Sequence, residues 1–565
     1  MRRRYTAGPL AAAAVVALAT TMLTTASAAA PQRDDQVTVT VDTQDVVQED
    51  YLGIGVNVIP WSLMANTTER GYDEADWEVD VERIRTLRPK VARLWFQIDW
   101  MELEKGQYDF ESPEIRTIYR YLDAFEEAGT EILFNFGWKV GGEVHDWFNY
   151  PGVRDPYESA PADLEAYGES ASAVLRELID ERGYDNVRYL TFYNEPNGGW
   201  DFEGPADQKK YYADMARAVH DQLVADGLRD RVEIWGPEEV GAPDWTAYMA
   251  RNAGDVFDAY SFHLYGEDYA RLAGFIDERQ ATIGDAPLHL TEMGWADPGD
   301  SGWETGHANY IIGSANGGVR SNLIWQLNGV MPDDPAFNTN GSFNLWDSVV
   351  LGIEPTAAFY EAGALMRYIP EHSTVLRTTS SDEDVRATAF RSAEGGHTVL
   401  VETKGDEAKD VRVEFVGDRL EDAGFHRIAY TDADGEPEAN ALLPASSGTL
   451  RAKGTAEAGP AFTDTALPAA HGYAIYTQAA PALQVAVDPV QSAVSGGGSA
   501  ALRARVVDGK GGVTWSVVGE GNGEIDTSGV FTAPDVDAER TVAIRATSTA
   551  EPSSYAVAQV VVTPG

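Results

Sequence analysis

Two glutamates close apolar runs in this chain, and both runs read as buried strands. The first run, Val187–Tyr193, stops at Asn194-Glu195-Pro196 within the stretch TFYNEPNGGW. Its alternation is blurred, as in parallel strands covered on both faces. Proline lacks an amide hydrogen, so the ladder ends there and the last side chains point beyond it. The second run, Pro287–Trp295 (PLHLTEMGW), places Glu292 at the same point. Strand-end acids at the carboxyl edge of parallel strands are where barrel and open α/β enzymes keep their chemistry. Each glutamate is followed by Pro or Gly and then Trp, which suggests paired carboxylates facing an aromatic-lined cleft. The competing reading is two solvated loop acids in a chain rich in acids.

The elements that would position such a pair alternate along the chain. Strand-like segments occur at Leu52–Asn57, Lys90–Phe96, Glu131–Phe136, Val187–Tyr193, Val232–Gly236, Ala259–His263, Leu288–Thr291 and Leu323–Gln326. Amphipathic helical segments lie between them, at Val79–Arg88, Pro113–Ala128, Asp163–Arg182, Pro205–Asp226, Asp268–Ile283 and Thr305–Ser314. Gly129 and Gly183 stand where a helix C-cap would be. Eight strand-plus-helix units over about 300 residues predict an α/β fold of the (β/α)8 TIM barrel type, spanning 49–354. An open doubly wound sheet is the runner-up, and the lack of a Gly-rich phosphate loop weighs against it.

Around the barrel the pattern changes. Residues 1–30 read as a signal peptide: Arg2-Arg3-Arg4, an apolar run from Leu10 to Leu23, and small residues at Ala26-Ser27-Ala28 or Ala28-Ala29-Ala30. The mature protein is therefore expected to be secreted and soluble. Residues 31–48 contain QVTVTVD (Gln36–Asp42), a cleanly alternating strand expected to pair with a later domain. Residues 355–480 carry a last barrel helix and then short alternating runs, expected to form an antiparallel β-sandwich. After the Ala479-Ala480-Pro481 join, residues 481–565 read as a small immunoglobulin-like β domain. The cores of these units are expected to be self-contained.

Composition narrows the function. Asp plus Glu total 90 against 43 Lys plus Arg, a net charge of −47. Such a field repels nucleic acid and anionic membranes but leaves a neutral polymer free to approach. There is no cysteine, so disulfides, thiolate metal sites and a cysteine nucleophile are excluded. Thirteen of the fourteen tryptophans lie between Trp61 and Trp346, more large rings than a core alone needs; sugar CH faces stack on such rings. No G-x-S-x-G elbow is present, and His145-Asp146 has no third ligand at matching spacing.

Asn194-Glu195-Pro196 and the later strand-end Glu292 resemble clan A of the retaining glycoside hydrolases. The run YNEPN, Gly236-Pro237 after the fifth strand and the trailing sandwich are most similar to glycoside hydrolase family 39, over about Gln36–Thr477. The terminal unit resembles bacterial immunoglobulin-like repeats. The resemblance implies a glycosidase with Glu195 as acid/base, Glu292 as nucleophile and Asn194 holding the neighbouring sugar hydroxyl. Arg93, His263, Tyr265 and Trp325 also match clan positions. The chain departs from the clan at its third strand, where Phe134–Trp138 carries no histidine; Asn135 or Trp138 would stand in. No cofactor is implied. The substrate would be an oligo- or polysaccharide with β-linked or equivalent α-L-linked bonds, and the terminal domain would offer contact to a cell wall or glycan.

Residue chemistry agrees with those roles. A retaining glycosidase needs its two carboxyls about 5–5.5 Å apart, one attacking and one protonating the leaving oxygen. Arg93 and Tyr265 would keep Glu292 ionised, while partial burial and the Glu292 charge would keep Glu195 protonated. Arg93 reads equally as a structural ion pair and His263 as a satisfied core histidine. Glu238 and Glu239, after the fifth strand, read as solvated loop acids more readily than as substrate contacts. Trp295 is the best-placed ring, with Trp138, Trp147, Trp200 and Trp303 on the same expected face. The alternative function is a carbohydrate-binding protein without catalysis.

Overall fold

The computed structural model describes residues 36–137, 147–266, 269–294, 306–329, 343–347, 355–417, 420, 423–431, 440–454 and 459–565. Eight parallel strands close into a barrel: β2 (Gly53–Val58), β3 (Val91–Phe96), β4 (Glu131–Phe136), β5 (Val187–Phe192), β6 (Glu233–Val240), β7 (Ala259–Tyr265), β8 (Leu288–Gly294) and β9 (Ser321–Ile324). β2, β3 and β8 are buried along their whole length because helices cover one face and barrel contents the other. This is the TIM barrel expected from the alternating pattern.

The barrel is filled at its amino-terminal end. Leu52, Val91, Leu133, Tyr189, Trp235, Ala259 and Leu323 form one apolar plug, with Trp235 stacked on His289 at 3.7 Å between ring centres. That plug leaves the carboxyl ends of the strands as the end where polar side chains converge.

The sequence signals for helices are met closely at some ends and missed at others. Ser112 caps the helix Pro113–Ala128 by accepting from the Ile115 amide, proline occupies its first turn, and Gly129 closes it in the left-handed region at φ 76°. The helix read from Val79 starts earlier, at Glu74, because Asp73 and Asp76 form a reciprocal capping box.

The early strand β1 (Val37–Tyr51) leaves the barrel region and enters a nine-stranded sheet, antiparallel to Ser373–Ser380 and parallel to Lys409–Val416. Val37, Val39 and Val41 point into that sheet's core beside Phe415 and Phe462. The helix His307–Asn316 lies between barrel and sheet. It is fixed there by Asn316 Nδ2 donating to the Ala387 carbonyl at 2.9 Å and by an Arg386–Asn309 hydrogen bond.

Residues beyond 481 form three small sheets around a core that includes Phe531, Ile544 and Val560. This unit is not free of the barrel. Ala75 and Val79 of the helix Glu74–Leu87 share an apolar cluster with Ala543, Tyr555 and Val557. Arg545 pairs with Glu78, and Gln559 Nε2 donates to Asp76 Oδ1 at 2.8 Å. Self-contained cores are thus not what this join shows, because apolar helix residues of the barrel are covered by the last strands. Among the described residues no helix is long and apolar enough to cross a membrane.

Candidate active site

Arg93, midway along β3, is fully buried and organises the open end of the barrel. Its Nη1 donates to Asn57 Oδ1 at 3.1 Å and to Glu292 Oε1 at 2.5 Å. Its Nη2 reaches Asn135 Oδ1 and Asn194 Oδ1, both at 3.2 Å, and lies 3.3 Å from Glu238 Oε2. The guanidinium also sits 4.6 Å from the Trp95 ring centre. A buried cation costs several kcal/mol unless paired, and here two carboxylates pair it.

Glu292 lies on β8. Besides Arg93 it accepts a 2.5 Å hydrogen bond from the Tyr265 hydroxyl on Oε2, with His263 Nδ1 3.3 Å from the same oxygen. Burial pushes the Glu292 carboxyl above its ordinary 4.5; His263 and Arg93 pull it back, Glu195 adds to the rise and the Tyr265 bond opposes it. The expected donors are therefore in place, yet desolvation outweighs them. Burial and the neighbouring carboxylates hold the Tyr265 hydroxyl far above its ordinary value, so it remains a donor.

Glu195 follows β5 on a strained turn. Tyr193 and Glu195 both take positive φ, 53° and 42°. Such conformations cost about 1–3 kcal/mol each and persist where surrounding bonds fix them. Here the Tyr193 hydroxyl donates to the Ser159 carbonyl at 2.9 Å, and Asn194 Nδ2 donates to Asp201 Oδ2 at 3.2 Å. The turn brings Glu195 Oε1 to 2.9 Å from His263 Nδ1, and Glu195 Oε2 accepts from Trp200 Nε1 at 3.0 Å. Gly198 makes that last contact possible: a Cβ there would lie 2.2 Å from the Trp200 ring. Trp200 stays 46% exposed, so its other face is open to solvent.

One carboxylate oxygen of Glu195, one of Glu292 and a His263 ring nitrogen all lie within 4.8 Å of one another. Burial alone would lower His263, but Glu292, Glu195 and Glu238 outweigh it and raise it to about 9. Three donors this close have the spacing of a metal site. Each of the three already has partners within the chain, however: Glu292 holds Arg93 and Tyr265, Glu195 accepts from Trp200, and His263 lies on Glu238, an arrangement that suits proton transfer.

Other expected residues divide. Asn194, Arg93, His263 and Tyr265 converge with both glutamates, and Asn135 lies on Arg93. Trp325 follows β9, partly exposed, with its ring 5.1 Å from Trp95. Trp147 packs edge-on against Phe148. Trp138, Trp295, Trp303, His145 and Asp146 lie outside the described residues.

Glu238 and Glu239 overturn the reading of solvated loop acids: both are fully buried. β6 does not stop at Gly236-Pro237 but continues to Val240 through a register shift between Pro237 and Glu239. Such an irregularity aims two successive side chains separately. Glu239 goes outward into a paired contact with Arg279, at 2.7 and 2.9 Å, tying the helix Tyr269–Ile283 to the barrel. Glu238 goes inward to Arg93 and His263. Asn57 is the other residue missed, and its only sequence signal was its place at the end of the first barrel strand.

No protein-family model matches the chain, and no curated protein matches its sequence. Solved structures do match its fold. The catalytic domain of GH30 xylanase C from Talaromyces cellulolyticus superposes with a TM-score of 0.56 at 13% identity, over 78% of this chain and 99% of that one. A GH39 β-xylosidase from Caulobacter crescentus gives 0.50 at 15% identity over 78% and 99%. An α-L-arabinofuranosidase from Thermotoga maritima gives 0.51 at 15% over the same shares. The chain thus shares the fold of GH30 and GH39 enzymes, a barrel with an attached β-sheet unit.

Proposed function

We propose that this chain is a secreted retaining glycosidase in which Glu292 is the nucleophile and Glu195 the acid/base. The observation that carries the reading is the asymmetric pairing of the two carboxylates, with one oxygen of each within 4.8 Å of the other. Inverting enzymes keep their carboxyls about 6.5–9.5 Å apart to admit a water between them, whereas retaining ones hold them near 5 Å. Glu292 is held by a guanidinium and a phenol, as an attacking carboxylate needs. Glu195 faces His263 and the partly exposed Trp200 indole, two N–H donors that stabilise the carboxylate left once its proton has passed to a departing sugar. Glu292 attacks the anomeric carbon while the Glu195 proton passes to the leaving oxygen, giving a glycosyl ester. Glu195, now ionised, takes a proton from water, which displaces Glu292. Asn194 is aimed to hold the adjacent hydroxyl.

The substrate class follows from charge and fold. A chain at −47 favours a neutral oligo- or polysaccharide, and solved neighbours are named as a xylanase, a β-xylosidase and an α-L-arabinofuranosidase. We assign the terminal β unit as an immunoglobulin-like module fixed to the barrel. The test is nucleophile replacement. Glu292→Ala should lose activity on aryl glycosides, and azide should restore it with an inverted glycosyl azide. Glu195→Ala with azide should give the retained product. Near-normal activity in both variants would exclude the carboxylate mechanism, and binding without turnover in the unaltered protein would favour a carbohydrate-binding role.

A further inference from the structure

A third acid lies beneath the pair. Glu238 is fully buried, with backbone φ 60°, and every charged group around it is accounted for. From β7, His263 Nε2 lies 2.8 Å from Oε2, and from β3, Arg93 Nη2 lies 3.3 Å from the same oxygen. Thr291 donates to Oε2 at 2.8 Å, Thr191 donates to Oε1 at 3.0 Å, and the Glu238 amide donates to Ser261 Oγ at 3.2 Å. Tyr212, from the helix Gln208–Asp226, and His289, on β8, also feel its charge. Burial keeps the Tyr212 phenol protonated, and burial holds the His289 imidazole neutral at about 3. Glu238 exposes none of its surface to solvent.

We propose that Glu238 is a positioning residue that fixes His263 as an imidazolium midway between the two catalytic carboxylates, so that one immobile positive charge serves Glu292 before glycosyl transfer and Glu195 after it. The proposal rests on the glycosidase reading. Its geometry is that of Nδ1, which lies 2.9 Å from Glu195 and 3.3 Å from Glu292 while Nε2 is held from behind. With Arg93 and His263 positive and Glu238 negative, one further negative charge neutralises the cluster. On the glycosidase reading, Glu292 carries that charge in the free enzyme and Glu195 holds the proton to be transferred. When the bond from the anomeric carbon to Glu292 forms and the bond to the leaving oxygen breaks, the proton departs with the leaving group. The charge is then on Glu195. The single Nδ1–H faces both carboxylates and can be shared between them with the ring stationary, so a positive charge lies beside whichever oxygen is ionised before each step. Burial would raise Glu238 itself, but Arg93 and His263 bring it down to about 2, so it stays ionised throughout.

The test is a histidine titration. In the full-length protein labelled with 15N-histidine, with His263 assigned by its loss in His263→Gln, both ring nitrogens should show imidazolium shifts at pH 7. In Glu238→Gln, which keeps volume and removes charge, the His263 pKa should fall by at least one unit, a tenfold change in proton affinity. kcat on an aryl glycoside limited by the second step should fall about tenfold, and Glu238→Asp should restore part of both. A neutral His263 in the unaltered protein overturns the proposal, even if Glu238→Gln does not fold. So does an unmoved titration in a folded Glu238→Gln. Azide rescue at Glu292→Ala judges the glycosidase reading separately, because the titration needs no substrate.

Discussion

Replacing Trp200 by Phe isolates one hydrogen bond at the site. The phenyl ring keeps the flat face above Gly198, while the indole N–H that reaches Glu195 Oε2 at 3.0 Å is lost. A bond to a charged acceptor contributes about 1.5–3 kcal/mol, and the 46% exposure of Trp200 puts this one at the lower end. If Glu195 is the acid proposed above, it gains charge as its proton leaves, so the bond strengthens towards the transition state and its loss falls on the rate. About 1.4 kcal/mol is a factor of ten. Trp200→Phe should therefore lower kcat/KM about tenfold for an alkyl glycoside or disaccharide, whose leaving oxygen needs the proton. For a dinitrophenyl glycoside, which departs without help, the loss should be under threefold. Equal losses on the two substrates, or none on either, would refute the assignment of Glu195 as the acid and of Trp200 as its support.

Further outcomes follow from the same contacts. Arg93→Met should leave the buried Glu238 and Glu292 with His263 as their one remaining cation, lowering stability by about 3–5 kcal/mol in urea denaturation, with activity lost as well. Because burial raises Glu292, its ionised form is populated only above a raised pKa, so the acid limb of kcat/KM should lie above pH 4.5; a limb below 4 would contradict the burial argument. A chain ending at Ala480 should melt several degrees lower and bind a hydrophobic dye, since Ala75 and Val79 lose their cover. An unchanged melting curve would show that the terminal unit adds nothing to the barrel. Arg279→Met should destabilise the protein by a similar 3–5 kcal/mol while leaving KM within twofold, because its Glu239 partner faces away from the cleft.

The barrel and the two strand-end glutamates were legible because each rests on a local signal. Apolar runs buried on two faces mark parallel strands, and an acid before Pro or Gly marks a strand's end. The capping pattern around Pro113–Ala128 was readable for the same reason. Glu238 was not, since Gly236-Pro237 is a strand stop in any local reading, and only the closed barrel forces β6 onward through an irregular register. The choice between a core and a functional role for Arg93 and His263 depended on partners far away in sequence. Both turn out to be buried and to touch Glu292, so the two readings were never exclusive. The contact between Ala75 and the last strands left no trace in sequence, because alanine and valine on a helix look the same whatever covers them.

The placement of β1 sets an order of events for the newborn chain. This strand is made before the barrel, yet its two neighbours in the sheet, Ser373–Ser380 and Lys409–Val416, are made after it. Until more than 300 further residues have been made, Val37, Val39 and Val41 have no sheet to enter. Closing so large a loop is slow, although the entropy it costs grows only with the logarithm of its length. The sheet is therefore completed only after the barrel has been made, when the strand that precedes the barrel enters between two that follow it.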